Sequence, residues 1–128
     1  MGYTVDFRGA DFFIPAKKVS AAIKAINMAQ HRSSPFEDLC DAFLFHGFKI
    51  DLDYGFNVCA IEAADGPIDL GDAGEIMLNA IAPFVRKGSY IEYEGGDGIY
   101  RRHFDGKKMH ILEGEVIFPD PPKKRKKS

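Results

Sequence analysis

The spacing of apolar residues changes several times along the chain, and each change predicts a new secondary-structure element. Alternating apolar and polar residues indicate strands, whereas an apolar stripe that repeats every three or four residues indicates a helix. By this criterion we predict strands over residues 3–7, 12–14, 48–54, 57–63, 89–93, 99–104 and 109–118. Helical stripes lie in residues 15–30, 34–46 and 72–85, and Pro83 is expected to kink or end the third helix.

The order of these elements, ββ-α-α-ββ-α-βββ, indicates the class of the fold. Strands that follow one another directly pair most simply as antiparallel hairpins, and the sequence has no βαβ crossover with a glycine-rich phosphate loop. We therefore predict an α+β fold, a two-layer domain with a mostly antiparallel sheet and helices on one face. Residues 1–118 form this single domain, and residues 119–128 are expected to be a disordered tail.

Local turn and capping signals give more precise boundaries. Ser34 and Glu37 have the spacing of a capping box with a proline after the serine, which predicts that the second helix begins there. Gly47 is placed to end the same helix in the left-handed conformation. The pair Asp105-Gly106 predicts a tight turn between the last two strands.

The strand over residues 48–54 has the most regular alternation, with apolar residues at positions 48, 50, 52 and 54. Asp51 and Asp53 share its polar face, and Glu62 lies across the predicted hairpin. Three carboxylates on one face could hold a divalent cation, as a metal-dependent hydrolase or nuclease requires. Regular alternation of charged and apolar residues is also typical of a solvent-exposed sheet face. We predict the second arrangement, with no metal and no cofactor.

The net charge of −2 combines an acidic body with a basic end. Residues 119–128 carry five of the 17 Lys and Arg residues and one of the 19 Asp and Glu residues. Residues 1–118 therefore hold 12 basic and 18 acidic residues, a net charge of −6. Because an acidic surface repels phosphate, affinity for nucleic acid is expected only in the tail.

The basic residues of the tail are consecutive: Lys123, Lys124, Arg125, Lys126 and Lys127. They are the predicted phosphate-binding residues, and their attraction to DNA or RNA would be independent of base sequence and sensitive to salt. The same composition is found in nuclear localisation signals and in membrane-surface tethers. The sequence leaves these roles open.

A second basic cluster lies in the last two predicted strands and in the turn between them. Arg101 and His103 share one face of a strand, where they could grip a carboxylate or a phosphate. The alternative interpretation is an ordinary ion pair between Arg101 and Glu92 across the hairpin. The candidate anion or partner contacts in this cluster are Arg101, Arg102, His103, Lys107 and Lys108.

Signals for catalysis, secretion and membrane insertion are not found. The patterns G-x-S-x-G and H-E-x-x-H are absent, which favours a protein that is not an enzyme. Cys40 and Cys59 form no C-x-x-C pair and are expected to be reduced, half-buried thiols. No apolar run approaches the ~20 residues that span a bilayer. The N-terminus lacks the features of a signal peptide, so we predict a cytoplasmic location.

Several stretches resemble a known group of proteins. They are GSYIEYEGGDG at residues 88–98, YRRHFDGK at residues 100–107, GYTVDF at residues 2–7 and APFV at residues 82–85. These stretches resemble parts of small uncharacterised proteins of bacteria and their phages. The chain departs from that group in having no Trp and in its basic tail. The resemblance implies a fold and a bacterial or phage origin, and it implies no activity.

We expect a small non-enzymatic interaction protein that binds a macromolecular partner, most simply another protein. An acidic body without catalytic motifs fits an inhibitor, an immunity-type protein or a phage accessory factor, because it can bind a basic protein surface. One alternative is a nucleic-acid-associated protein that uses the basic tail. The other is the small metal-dependent hydrolase or nuclease. The identity of the partner and the oligomeric state are not given by the sequence.

Overall fold

The computed structural model describes residues 4–31, 33–96 and 98–113, which form three α-helices and seven β-strands. The helices are α1 (Ala16–Gln30), α2 (Leu39–Phe45) and α3 (Asp72–Ile81), and α3 continues into a 3-10 turn (Ala82–Phe84). The strands are β1 (Thr4–Asp11), β2 (Phe48–Leu52), β3 (Val58–Ala63), β4 (Ile68–Asp69), β5 (Tyr90–Gly95), β6 (Gly98–Phe104) and β7 (Met109–Glu113).

The strands of the described residues form two sheets in which every pairing is antiparallel. The larger sheet has the order β4-β1-β5-β6-β7, and β2 pairs with β3 as a separate hairpin. On β5 and β6, Ile91 and Phe104 are buried while Tyr90 and His103 remain partly exposed, so one face of the larger sheet is packed. The predicted α+β class with antiparallel strands is confirmed.

Four phenylalanines from different segments connect the two sheets through the core. Phe12 packs edge to face against Phe43 of α2 and Phe104 of β6, with ring centroids 6.0 and 5.7 Å apart. Phe43 makes a further edge contact with Phe48 of β2 at 6.0 Å. All four rings are almost fully buried, and each pair adds about 0.5–1.5 kcal/mol beyond the burial of its area. The β2–β3 hairpin is therefore anchored at its base in the same core as the larger sheet.

The structure corrects the predicted strand order at two places. Residues 12–14 do not form a strand of the larger sheet, because β1 ends at Asp11 and Ile14 makes an isolated bridge to Val58 of β3. The backbone N–H groups of Ile14 and Val58 each donate to the other's carbonyl, at 3.0 and 2.9 Å. The second correction is β4, which was not predicted because a strand of two residues is too short to show a period.

The predicted start of the second helix is wrong. Helix α2 begins at Leu39, and its cap is Asp38, whose side chain accepts the Asp41 N–H at 2.8 Å. The earlier residues are held out of the helix because the side-chain amide of Asn27 bonds both the N–H and the carbonyl of Phe36, each at 2.9 Å. Side-chain contacts from α1 therefore override the capping box at Ser34.

The other predicted turns are confirmed. Gly47 follows α2 with φ of 90° and Gly106 turns the chain between β6 and β7 with φ of 97°, both in the left-handed region that favours glycine. Pro83 lies in the 3-10 turn that ends α3. No helix within the described residues is long and apolar enough to cross a membrane.

Candidate interaction surface

The outer half of the β2–β3 hairpin exposes apolar side chains. Phe48 and Ile50 are buried as the alternation predicts, but Leu52 is 46% exposed and Tyr54 is fully exposed. The pairing register shifts between Asp51 and Leu52, so the last residues of β2 leave the face that packs on the core. Phe56, in the turn, is 70% exposed. We call Leu52, Tyr54 and Phe56 the hairpin tip.

The turn that carries the hairpin tip is organised by one carboxylate. Asp53 Oδ1 accepts the backbone N–H groups of Gly55 and Asn57 at 2.9 and 3.0 Å. The side-chain amide of Asn57 donates to Oδ1 and Oδ2 of the same carboxylate at 3.1 and 3.0 Å. These hydrogen bonds, chiefly the one from the Asn57 side chain, lower the pKa of Asp53 below its ordinary value.

Phe56 adopts a backbone conformation that is unfavourable for its side chain. Its φ is 66°, in the left-handed region, which costs an L-residue with a Cβ about 1–2 kcal/mol. The conformation is enforced by backbone hydrogen bonds from Phe56 N to Asp53 O and from Asp53 N to Asn57 O, both 3.0 Å. A strained residue held by its neighbours and exposed to solvent is typical of functional loops.

Asn57 also connects the hairpin to helix α1. Its Oδ1 accepts the backbone N–H of Ala16 at 2.8 Å, while Pro15 at the N-cap position provides no side-chain cap. Asn57 therefore caps α1 from outside the helix. The aromatic side chains of the hairpin tip are presented from a turn that is fixed to both the hairpin and a helix.

The segment that carries the hairpin is strongly acidic. Residues 36–65 contain seven Asp and Glu residues and one Lys, a net charge of −6. All eight of these charged residues are exposed. The acidic residues are Glu37, Asp38, Asp41, Asp51, Asp53, Glu62 and Asp65, and the basic one is Lys49. The hairpin tip is thus a small apolar surface within a negatively charged segment.

The three carboxylates considered for metal binding do not form a cluster. Glu62 lies opposite Lys49 in the hairpin register, and Asp51 lies opposite Ala60. Asp53 is engaged by the turn and by Asn57. Among the described residues, no group of three or more His, Cys, Asp and Glu side chains is arranged to hold a metal ion.

The second basic cluster is divided between the two faces of the larger sheet. Arg101 pairs with Glu92 across the strands at 3.0 Å and stacks 3.9 Å above the Tyr90 ring, so the alternative interpretation, an ordinary cross-strand ion pair, is confirmed. Arg102 points to the packed face and is only 4% exposed. Its Nε donates to the Tyr93 hydroxyl at 3.0 Å.

The remaining members of this cluster lie nearer the β6–β7 turn. Lys107 and Lys108 are exposed, and their backbone N–H groups donate to Asp105 at 2.8 and 2.7 Å. His103 lies opposite His110 in the register. Burial of Arg102 removes one of the five candidate contacts from the surface. The tail residues Lys123 to Lys127 lie outside the described residues.

The two cysteines are more exposed than predicted. Cys40 and Cys59 form no disulfide, and both residues are exposed rather than half-buried. Partial burial raises the pKa of the Cys40 thiol, and the nearby negative charges of Asp38 and Asp41 raise it further. A raised pKa makes the Cys40 thiol a poor nucleophile at neutral pH.

Sequence reasoning missed the hairpin tip and the role of Asn57. The regular alternation through Tyr54 suggested one continuous buried face, and only the shift in register shows where burial ends. The signal that could have located the turn is Asp53 two residues before Gly55, a spacing typical of side-chain-capped turns. No family model, curated protein or solved structure matches this chain.

Proposed function

We propose that this protein is a non-enzymatic interaction protein that binds a basic protein partner through the hairpin tip. The observation that carries the proposal is the exposure of Tyr54 and Phe56 on a turn that hydrogen bonds hold in a strained conformation. Tyrosine and other aromatic residues dominate the binding energy of protein interfaces, where they fill pockets on the partner.

The rigidity of the turn supports this function. A flexible loop must be ordered when it binds, and that ordering costs about 0.5–1.5 kcal/mol for each immobilised side chain. Here the Asp53 and Asn57 hydrogen bonds fix the backbone that carries both rings before a partner arrives. Such a turn binds with a smaller entropic cost than a mobile loop of the same composition.

The charge of the segment that carries the hairpin tip supports a basic partner. Seven acidic residues against one lysine in residues 36–65 create a negative potential that attracts a positively charged surface and repels nucleic acid. Charges at the rim of an interface act mainly on the rate of association, so binding should weaken as salt increases. The partner we propose therefore has a basic surface around an apolar pocket.

The resemblance of residues 88–107 to small bacterial and phage proteins supports a bacterial or phage origin. Within that setting we favour an inhibitor, an immunity-type protein or a phage accessory factor. Free, exposed Cys40 and Cys59 fit the reducing cytoplasm of a bacterial cell or of a phage host. The run from Lys123 to Lys127 favours a second candidate function, non-specific association with nucleic acid through the tail.

The experiment compares the protein with a hairpin-tip variant, Tyr54→Ser combined with Phe56→Asn, since Asn tolerates the left-handed conformation. Ile111→Ser is the matched control, because it removes an exposed apolar side chain from β7, outside the hairpin tip. A protein captured from source cells by the original chain is purified, and its affinity for all three chains is measured by calorimetry at two salt concentrations.

We expect the control to bind like the original chain and the hairpin-tip variant to bind at least about thirtyfold more weakly, as for the loss of an aromatic hot spot. The affinity of the original chain should fall as salt increases. Equal affinities for all three chains would overturn the proposal. A captured complex that disappears on nuclease treatment would favour the nucleic-acid function instead.

A further inference from the structure

A second surface, distinct from the hairpin tip, runs along the exposed side of α1 and onto α2. Three adjoining cavities of about 500, 390 and 480 Å³ form one continuous groove. The first two share Lys24 and Met28, and the last two share Phe36 and Glu37. We call this surface the α1 groove. None of its three cavities is lined by Leu52, Tyr54 or Phe56.

The α1 groove exposes large apolar side chains along its length. Met28 is 68% exposed on α1, and Phe45 is 60% exposed at the end of α2. The Phe45 ring packs edge to face on Phe36, at 5.5 Å between centroids, and Phe36 is itself held by the Asn27 side chain. Apolar side chains of this size, exposed on a surface with a fixed floor, mark an interaction site.

Charge is distributed unequally along the α1 groove. Among the described residues, the cavity at one end is lined by Lys17 and Lys24 and by no acidic residue. The cavity at the other end is lined by Glu37 and Asp41, and none of its lining residues that the structure describes is basic. Lys24 and Glu37 both border the central cavity. The groove is therefore positive at one end and negative at the other, with the apolar side chains of Ile23, Met28 and Phe36 between.

We propose that the α1 groove binds a second copy of this chain in a twofold-symmetric dimer. A twofold axis through the central cavity places the lysine end of one copy on the carboxylate end of the other, so both ends are neutralised together. An interface between identical copies must be complementary to itself, and an apolar strip with opposite charges at its ends satisfies this when antiparallel.

The same distribution of charge disfavours other occupants. A basic segment would meet Lys17 and Lys24, and an acidic segment would meet Glu37 and Asp41. The dimer goes beyond the proposed function, because the hairpin tip stays outside the interface and each dimer would present two tips. Failure of the dimer would leave partner binding by the hairpin tip unaffected.

The experiment measures association by sedimentation equilibrium for the original chain, for Lys24→Glu and for Glu37→Lys. In either variant alone, the twofold axis brings like charges together at both ends of the interface, so the dimer should dissociate at least about tenfold more readily. When the two variants are mixed in equal amounts, the substituted position of one faces the substituted position of the other, and their charges are again opposite. At the other end of the interface, the unchanged Glu37 of one variant faces the unchanged Lys24 of the other. The mixture should therefore dimerise like the original chain.

Met28→Ser serves as the apolar variant and should weaken the dimer without rescue by mixing, because Met28 is lost from the interface. All three substitutions fall on exposed residues, and unchanged thermal unfolding would verify that each variant is folded. The original chain sedimenting as a monomer at every concentration would overturn the proposal. So would a dimer that none of the substitutions weakens, since it would use another surface.

Discussion

Asn57 holds Asp53 through two hydrogen bonds from its side-chain nitrogen, 3.1 Å from Oδ1 and 3.0 Å from Oδ2. The oxygen of the same amide accepts the Ala16 N–H at 2.8 Å. One side chain therefore fixes both the turn below Tyr54 and Phe56 and the start of α1. Because Asp53 is an exposed residue, this turn is ordered by hydrogen bonds rather than by burial.

Replacing Asn57 should reduce the stability of the whole domain. Asn57→Ala removes the cap on the Ala16 N–H, and the loss of a helix cap costs about 1 kcal/mol. The free energy of unfolding is measured by urea denaturation. Asn79→Ala is the control, since Asn79 is exposed on α3 and its replacement should leave stability unchanged or slightly higher. An equal effect of both substitutions would show that the cap is unimportant.

Stability should depend on pH through Asp53. Its pKa in the folded protein lies below the ordinary value of 3.8, so the unfolded state takes up the proton first. The contribution of Asp53 is therefore complete above the unfolded-state pKa and is lost as the pH falls through the folded-state pKa. Asp53→Asn should make the melting temperature fall less steeply than in the original chain below about pH 4.

The measurement is thermal unfolding followed by circular dichroism across this range of pH. Asp65→Asn removes an equal charge from the same acidic segment and serves as the control for the change in net charge. If the melting temperatures of Asp53→Asn and of the original chain fall in parallel as the pH is lowered, the turn does not hold the Asp53 carboxylate in solution.

Replacing Phe56 by glycine should not reduce the stability of the protein, whereas replacing Tyr54 by glycine should. Phe56 has φ of 66°, so Phe56→Gly relieves a strain of about 1–2 kcal/mol and loses little burial. Tyr54→Gly relieves no such strain, and it should destabilise the protein by about 0.5–1 kcal/mol through the entropy of the unfolded chain. Chemical denaturation of both variants compares the two effects. If Phe56→Gly destabilises the protein more than Tyr54→Gly does, the backbone of Phe56 is not strained.

The start of α2 can be located by two substitutions. Asp38→Ala should cost about 1 kcal/mol because the Asp38 side chain caps the helix at the Asp41 N–H. Ser34→Ala should cost less, since Ser34 precedes the helix by several residues. Urea denaturation measures the free energy of unfolding of both variants. A larger loss for Ser34→Ala than for Asp38→Ala would place the start of the helix at the capping box.

The basic tail should act independently of the folded domain. Deletion of residues 119–128 should leave the melting temperature nearly unchanged, because this Pro- and Lys-rich segment has no large apolar side chain to bury. It should also remove most binding to DNA. Five basic residues allow a slope of log affinity against log salt no steeper than about −4.5. A steeper slope, or DNA binding retained by the truncated chain, would indicate that exposed residues such as Lys107 and Lys108 contact phosphate.

The sequence predicts the class of this fold better than its details, and the reason is the range of the interactions. Alternation and helical stripes are local, and they located the β2–β3, β5–β6 and β6–β7 hairpins and, apart from the start of α2, all three helices. The start of α2 depends instead on Asn27, nine residues away from Phe36 in the sequence, which no local pattern records. The bridge from Ile14 to Val58 spans a still longer separation. Such contacts appear only when the chain is folded.

The candidate surface was less predictable than the fold for a related reason. Period two correctly predicted that Asp51 is exposed, but β2 ends at Leu52, so Asp53 belongs to the turn. The pattern could not show that the core ends before Tyr54. The burial of Arg102 was also missed, because the alternation pattern does not record contacts between strands and helices. A charged residue on a strand suggests exposure to solvent, whereas Arg102 is buried beside the hydroxyl of Tyr93 and the carboxylate of Glu75, which lies 3.3 Å from Arg102 Nη1.

The full exposure of Tyr54 gives this protein a built-in optical reporter. The chain has five tyrosines and no tryptophan, so no indole is present to accept their excitation energy or to mask their emission. Tyr93, by contrast, is buried against Tyr100, where a dissolved quencher cannot reach it. Acrylamide should therefore quench Tyr54 more readily than Tyr93, and a partner lacking tryptophan that covers the hairpin should protect this emission without any attached label.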